Sequence, residues 1–379
     1  MARRLRVLHI IDSLGLGGAQ SVVENIVRCS DRERFQHEVT SLHGAGPYMA
    51  RLRNLGVGAD SLADSRSNPL LPWKLVRRVR EFRPHVVHAH LLVSVFLAEK
   101  LRWFFPRGTA VFSHLHNDHG ATQDFPYQKY LEAVSFRGSN LLVACSGSVA
   151  QSFRNGMHRH APIRVVRNGV DDALLRGKNE DVRRAVRARE GVADGDIVFL
   201  SACRLASQKN LRYALEVFAA LTKRRANLRY WIAGTGEEKP LLKQRAKDLG
   251  VDDAVRFLDF RDDVPDLMQA ADFYLMPSLF EGLPMGLVEA MGSLTPPIVT
   301  PFSVTREMIR DGRNGIVIPF KDAALAAVRI APAMEDAAMR ERLGRNAANV
   351  AVSRFSASQM TARMESLYLQ AARAKGWRG

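Results

Sequence analysis

Two doubly wound, Rossmann-like α/β domains with a cleft between them are the fold class this sequence predicts, and three observations carry the prediction. Short apolar runs alternate with amphipathic stretches, the signature of parallel strands joined by crossover helices. That rhythm runs twice, interrupted over 176–196 by a highly charged passage with no strand candidate. The length, 379 residues, exceeds one typical domain. A cleft at a domain interface is where ligands bind.

In chain order, residues 7–11 form an apolar strand that ends at Asp12 and Ser13, and 20–29 carry helical periodicity. A strand follows at 37–42, a helix at 72–82, a strand at 86–88 and a helix at 91–104. Strands then fall at 110–112, 141–144 and 163–166, and Asn168-Gly169 makes a turn that stops the rhythm. The junction is placed near 171–177. It restarts with a strand at 197–202, a helix at 211–224, a strand at 228–233, a helix at 239–249 and strands at 255–258, 273–276 and 298–300. Residues 285–291 make a short helix, introduced by the turn-forming Gly282 and Pro284. The tail from 332 to 379 reads as two helices broken around 353–356. The domains are therefore expected at 1–173, completed by a C-terminal helix at about 356–379, and at 174–355.

The loops that open helices carry the chemistry. Gly15, Gly17 and Gly18 follow the first strand, where small residues let backbone approach a phosphate or another backbone. Their spacing is not the dinucleotide fingerprint. Arg204 and Lys209 flank the loop before the 211–224 helix, and two cations beside a helix N-terminus suit an anion. Gly234 and Gly236 open the next helix. The run Phe280-Glu281-Gly282-Leu283-Pro284-Met285, with Glu289 beyond it, sets two carboxylates beside helix N-terminal amides. Carboxylates accept hydrogen bonds from hydroxyls and amides take an anion, so the pair suits a ligand with many hydroxyls and a phosphate.

Six of the eleven histidines lie between His85 and His119. The run His114-Leu115-His116-Asn117-Asp118-His119 has the spacing of a dinuclear zinc hydrolase, the competing enzymatic reading. Against it, His158 and His160 are the only later histidines, and the strand–helix rhythm is wrong for that fold. No metal site is expected. His116 instead sits beyond the end of the 110–112 strand, where it can hydrogen-bond a sugar hydroxyl or a developing oxyanion, with His88 and His90 ending a neighbouring strand.

The formal charge is +16 and the pI about 10.2. Between Lys74 and Arg107 eight basic residues face only Glu81 and Glu99, with Trp73, Trp103, Phe104 and Phe105 interleaved. That composition suits an anionic membrane surface; the competing reading is a solvated basic face with its aromatics in the core. A nucleic-acid partner is not expected, because no basic recognition helix or aromatic-studded sheet is present. Cys29, Cys145 and Cys203 are scattered, which gives no disulfide framework and points to a reducing, cytoplasmic setting. No signal peptide or membrane-crossing stretch is expected.

With these residues in place, nearly the whole chain resembles the GT-B, family-4 retaining glycosyltransferases, most specifically in its second half. Glu281 and Glu289 match that family's EX7E motif, and Arg204 with Lys209 match its donor-diphosphate pair. The resemblance implies that Glu289 holds the donor ribose, and that Glu281 with Gly282, Leu283, Pro284 and Met285 faces the donor sugar and phosphates. It implies that Gly17, Gly18, Asn168 and Gly234 line the donor site and that His116 contacts the transferred sugar. It also implies catalysis through His116, Arg204, Lys209 and Glu281 without a metal or other cofactor, with Asp262-Asp263 only a helix cap. The implied reaction moves a hexose-type sugar from a nucleotide diphosphosugar, UDP being the commonest base, to a glycan or lipid-linked acceptor at the cytoplasmic face of the membrane, with a GDP-sugar donor or a small-molecule acceptor as the alternative. The acceptor is expected on the loops at 44–49 and 118–130.

Overall fold

The computed structural model describes residues 4–65, 67–119, 126–157, 160–175 and 177–378, with side chains at 126–129 excepted. Part of the proposed acceptor loop (120–125), His158 and Arg176 therefore lie outside the described residues. The chain divides into two compact units, Met1–Val170 with Ala357–Gly379, and Asp171–Ser356.

The first unit is built on seven parallel strands: β1 (Leu5–Ile11), β2 (Phe35–Ser41), β3 (Gly58–Ser61), β4 (Val86–His90), β5 (Ala110–Leu115), β6 (Leu141–Ala144) and β7 (Ile163–Val165). Their order is β3-β2-β1-β4-β5-β6-β7. The order reverses between β1 and β4, the position at which doubly wound sheets bind ligands beyond their strand ends. The central strands β1, β4 and β5 are almost wholly buried and carry apolar residues on both faces. One exception is consistent: His9, His37, His88, His90 and His114 are buried strand residues at alternating positions. The helix Ala357–Ala374 packs on the helix Gly18–Cys29 and brings Tyr368 against His88 and Phe112.

The second unit has six parallel strands, β8 (Ile197–Ala202), β9 (Leu228–Ala233), β10 (Val255–Asp259), β11 (Phe273–Met276), β12 (Pro297–Val299) and β13 (Ile316–Val317). Their order is β10-β9-β8-β11-β12-β13, with the reversal between β8 and β11. The buried core collects Phe199, Tyr230, Phe273 and Ile298 of the sheet with Phe218 of the helix Leu211–Thr222.

Several elements differ from expectation for local reasons. β5 continues to Leu115, so His114 is a strand residue and His116 follows the strand by one position. The charged passage contains a helix, Glu180–Arg189, capped by Asn179, whose side chain accepts from the amides of Asp181 and Val182. The 91–104 helix stops at Leu101 and tightens into a 3₁₀ turn, Arg102–Phe104. Asp263 does not cap its helix with its side chain; it pairs with Arg189 and Arg261, which holds its carboxyl down at about 2.

Candidate active site

In the second unit, the loops after β8 and β11 leave the sheet on either side of its reversal point. The first carries Arg204 and closes as a 3₁₀ turn, Ser207–Lys209, before Asn210 in the left-handed region (φ 53) starts the helix Leu211–Thr222. That helix has no side-chain cap, so its first amides remain available to an anion. Lys209 Nζ donates to Glu281 Oε1 at 2.5 Å, and Ser278 Oγ donates to the same oxygen at 2.8 Å. Gln208 ties the two loops, donating from Nε2 to the Phe280 carbonyl at 2.8 Å and accepting at its own carbonyl from the Leu279 amide. Ser303 Oγ donates to the Glu281 carbonyl. Glu281 is 7% exposed. The two expected site residues Lys209 and Glu281 are thus a hydrogen-bonded ion pair between a buried carboxylate and a partly buried ammonium. Arg204 is exposed and forms no ion pair among the described residues.

Gly282, Leu283, Pro284 and Met285 are buried and lead into the helix Met285–Gly292, which also lacks a side-chain cap. Glu289 lies on it, only partly exposed, and its carboxylate has no hydrogen-bond partner among the described residues. Burial pushes its pKa up to about 7. Gly286 is required by packing, since a Cβ there would sit 2.7 Å from the Tyr274 hydroxyl. Gly234 and Gly236 have a tighter constraint. Their positions (φ +135 and +159) press on the Arg204 loop so closely that a Cβ would meet the Cys203 carbonyl oxygen at 1.9 Å and the Leu205 carbonyl oxygen at 2.3 Å. Both glycines therefore shape the loop that holds Arg204. Burial pushes the Cys203 thiol up to about 12, which disfavours its thiolate.

In the first unit, Gly17 and Gly18 are exposed at the uncapped start of the helix Gly18–Cys29. Gln20 holds the turn by donating to the Ser13 carbonyl at 2.9 Å, and a Cβ on Gly17 would collide with the Gln20 side chain. At the end of β1, Asp12 Oδ1 accepts from both the Ser94 amide (2.8 Å) and hydroxyl (2.6 Å), fastening the helix Leu92–Leu101 that follows β4. His116 is partly buried just after β5, and its Nε2 lies 3.2 Å from His90 Nδ1. Burial lowers its pKa to about 4, so the ring is neutral at physiological pH. Asn168 is buried beside His114, where it partly offsets the lowering of that ring's pKa by burial and by His116.

The 114–119 run does not converge on one point. His114 stacks on His116 (ring centroids 4.2 Å), whereas His119 lies edge-on to Phe153, with Nε2 3.9 Å from Glu132. Among the described residues, the histidines within metal-bridging range of one another are His9, His88 and His90, and His90, His114 and His116. The hydrolase spacing thus does not carry over into one ligand cluster: His114 and His116 join His90, and His119 stands outside that group.

The basic aromatic region is partly surface. Trp73, Trp103 and Phe104 are 59%, 79% and 55% exposed, and Phe105 is buried. A groove of about 580 Å³ runs between Trp73, Val76, Arg80, Leu101 and Phe104. Arg78 is spent internally on Glu38 and Asp60, while Arg77, Arg80, Arg83, Lys100 and Arg107 are exposed. Among the described residues no helix is long and apolar enough to cross a membrane.

Sequence reasoning missed Ser278, Gln208 and Ser303, whose only signal was nearness to Glu281 or Lys209, and it missed His9 and His37. The HxH repeats at 88–90 and 114–116 did carry a signal, since period two in a strand puts both rings on one face.

The comparisons agree. The profile of "Glycosyl transferases group 1" matches residues 182–350 and that of "Glycosyltransferase Family 4" matches 16–174. The protein named "Putative glycosyltransferase EpsD" of Bacillus subtilis (strain 168) is 30% identical over 307 residues, 78% of this chain and 79% of EpsD. The lipopolysaccharide core biosynthesis glycosyltransferase LpsE of Rhizobium meliloti (strain 1021) is 28% identical over 294 residues, 77% of this chain and 78% of its own. The structure of Anabaena Alr3699/HepE in complex with UDP-glucose superposes with a TM-score of 0.86 at 21% identity, covering 97% of this chain and 100% of that one. With these matches across both units, on a pair of parallel, doubly wound sheets, the chain belongs to the family-4 glycosyltransferases of the GT-B fold.

Proposed function

We propose that the protein is a retaining glycosyltransferase that moves a hexose-type sugar from a UDP-sugar to a glycan or lipid-linked acceptor in cell-surface polysaccharide or glycolipid synthesis. The observation that carries the reading is the set at the reversal point of the second sheet: an exposed Arg204, a partly buried Lys209–Glu281 pair and a Glu289 carboxylate without a hydrogen-bond partner among the described residues, beside two uncapped helix starts. A nucleoside diphosphate needs cations and amides for its phosphates and a carboxylate acceptor for its ribose hydroxyls, and this set supplies both. The UDP choice is supported by the neighbouring Anabaena structure, which was solved with UDP-glucose.

The sugar C1–O bond to the β-phosphate breaks, the acceptor oxygen bonds to C1 from the same face, and the acceptor proton passes to the departing phosphate. Arg204, Lys209 and the helix amides stabilise the charge that develops there, the role a divalent cation plays elsewhere. Glu281 orients Lys209 and meets the sugar hydroxyls, while Gly282 to Met285 hold the sugar. The first unit binds the acceptor and, through His116, the transferred sugar, and the exposed Gly17 and Gly18 offer backbone amides to a phosphate. The Trp73–Arg107 surface meets anionic lipid at the cytoplasmic face.

A thermal-shift panel of UDP, GDP, ADP and their common sugars tests the donor. A rise of several degrees with UDP compounds is expected by mass action. A GDP preference would replace the base, and no shift with any nucleotide would defeat the reading.

A further inference from the structure

A line of hydrogen-bonded side chains crosses the buried face of the first sheet. It starts at Glu365 on the helix Ala357–Ala374, whose Oε1 accepts from the Ser30 hydroxyl at 2.7 Å and the Asp31 amide at 2.9 Å. Ser30 Oγ lies 2.8 Å from His37 Nε2 and His37 Nδ1 lies 3.0 Å from His9 Nε2. His9 Nδ1 lies 3.2 Å from His90 Nε2 and His90 Nδ1 lies 3.2 Å from His116 Nε2. Both contacts of Ser30 and both ring nitrogens of His37, His9 and His90 are used, so every link is fixed by the one before it.

The direction follows from proton counting. An ionised carboxylate only accepts, so Ser30 gives Glu365 its single proton and must accept from His37 Nε2–H. A neutral imidazole carries one proton, which leaves His37 Nδ1 as a lone pair that accepts from His9 Nε2–H. The same step repeats at His9 and at His90. Burial keeps these rings neutral, depressing His9 and His90 well below the usual histidine range and His37 to about 4. A protonated ring would put two N–H groups head to head.

We propose that Ser30, His37, His9 and His90 are positioning residues that fix His116 as the Nε2–H tautomer, so that its free Nδ1 accepts a hydrogen bond from a sugar hydroxyl. The consequence for transfer rests on the proposed contact of His116 with the sugar; the tautomer itself does not. His116 then serves as an acceptor for the substrate and not as its proton donor. Three aligned histidines would also suit a transition metal, but metal at His90 or His116 would take the lone pair or displace the proton on which the chain depends.

Ring nitrogen correlation spectra of ¹⁵N-labelled full-length protein at neutral pH read the tautomer directly, with His116→Gln giving the assignment. The expected result is a protonated Nε2 and an unprotonated Nδ1 at His116. In Ser30→Ala the chain loses its anchor and the His116 signals shift toward a tautomer mixture, while Ser30→Thr restores them. With a working donor, Ser30→Ala lowers kcat/KM by roughly threefold to tenfold, the scale of one hydrogen bond, and leaves the Kd of free nucleoside diphosphate unchanged. A protonated Nδ1 in the unsubstituted protein, an identical pure tautomer in Ser30→Ala, or stoichiometric tightly bound zinc at His90 and His116 would overturn the proposal. Failure of every nucleotide-sugar to react would defeat the functional reading and leave the tautomer result standing.

Discussion

Lys209 and Glu281 neutralise each other where little water reaches, so removing either side chain has two effects. Lys209→Ala leaves a buried carboxylate with Ser278 as its remaining side-chain hydrogen-bond donor among the described residues, and removing one partner of a fully buried pair costs about 3–5 kcal/mol, the upper bound for this partly buried one. Its loss of transfer should therefore come with a clear fall in Tm, although its sequence setting, outside any apolar run, suggests that folding would tolerate the change. Arg204→Ala should keep the parent Tm and still reduce kcat by roughly 10² or more, because an exposed guanidinium contributes only when the diphosphate leaves. Melting curves beside initial rates separate the two; equal melting losses would refute the pairing. Glu289 gives a pH signature. Its native pKa, near 7, is above the unfolded value, so the native state holds the extra proton between about 4.5 and 7 and apo stability declines as pH rises through that window. Glu289→Gln should melt about 1–3 °C higher than the parent at pH 8 and show no gain at pH 4. Ribose hydroxyls need the ionised carboxylate, so UDP affinity should rise with pH through 7 and calorimetry should detect proton release, both absent in Glu289→Gln. The identities Arg204, Lys209, Glu281 and Glu289 were legible because spacing and charge mark them. Their pairing was not, since Lys209 and Glu281 are 72 positions apart and meet only because β8 and β11 are neighbours.

Most elements were legible where apolar periodicity was strong. The central strands and most long helices fall close to expectation, but the helix Ala323–Glu335 was not foreseen, β3 (Gly-Ala-Asp-Ser) carries almost no apolar signal, and β13 (Ile-Val) is too short to show a period. The helix Gly147–Gly156 was hidden by small and polar residues, with only Ser146, which caps it, as a cue. The helix Glu180–Arg189 shows what replaces an apolar stripe. It buries only Val186 and is held by charge: Arg183 and Arg187 reach Asp272 at 2.8 and 3.2 Å, and Asp272 also accepts from the Val198 amide at 2.8 Å. Burial alone would raise the Asp272 pKa, but Arg183, the Val198 amide, Arg187 and Lys178 outweigh it and the net direction is down. Its stabilisation is thus complete above the ordinary carboxylate range and is lost as pH falls through the depressed native value. Asp272→Ala should cost about 3–5 kcal/mol and expose 180–189 to proteolysis at neutral pH. A protease pattern unchanged from the parent would show that the helix is held by something else.

At the scale of the molecule, the net charge of +16 meets a basic surface carrying three exposed aromatic rings. Each basic side chain near an anionic membrane adds about 1 kcal/mol, so co-sedimentation should require anionic vesicles and fade with salt. Trp103→Ala with Phe104→Ala should weaken it without changing UDP binding, and indifference to lipid charge would point to a soluble acceptor. Composition announced the charge, and the structure separates cations used internally, such as Arg78, from those left at the surface. The return of Ala357–Gly379 to the first unit has a consequence for biosynthesis. The second unit is an insertion of 186 residues, 171 through 356, within the first. At about 5–20 residues per second a ribosome needs roughly 10–40 s to make it. During that interval the N-terminal sheet has no Tyr368 over its histidine face and Glu365 has not yet reached Ser30. The later-made unit can finish folding first, and the earlier-made one waits with its histidine face uncovered until the helix Ala357–Ala374 has left the exit tunnel.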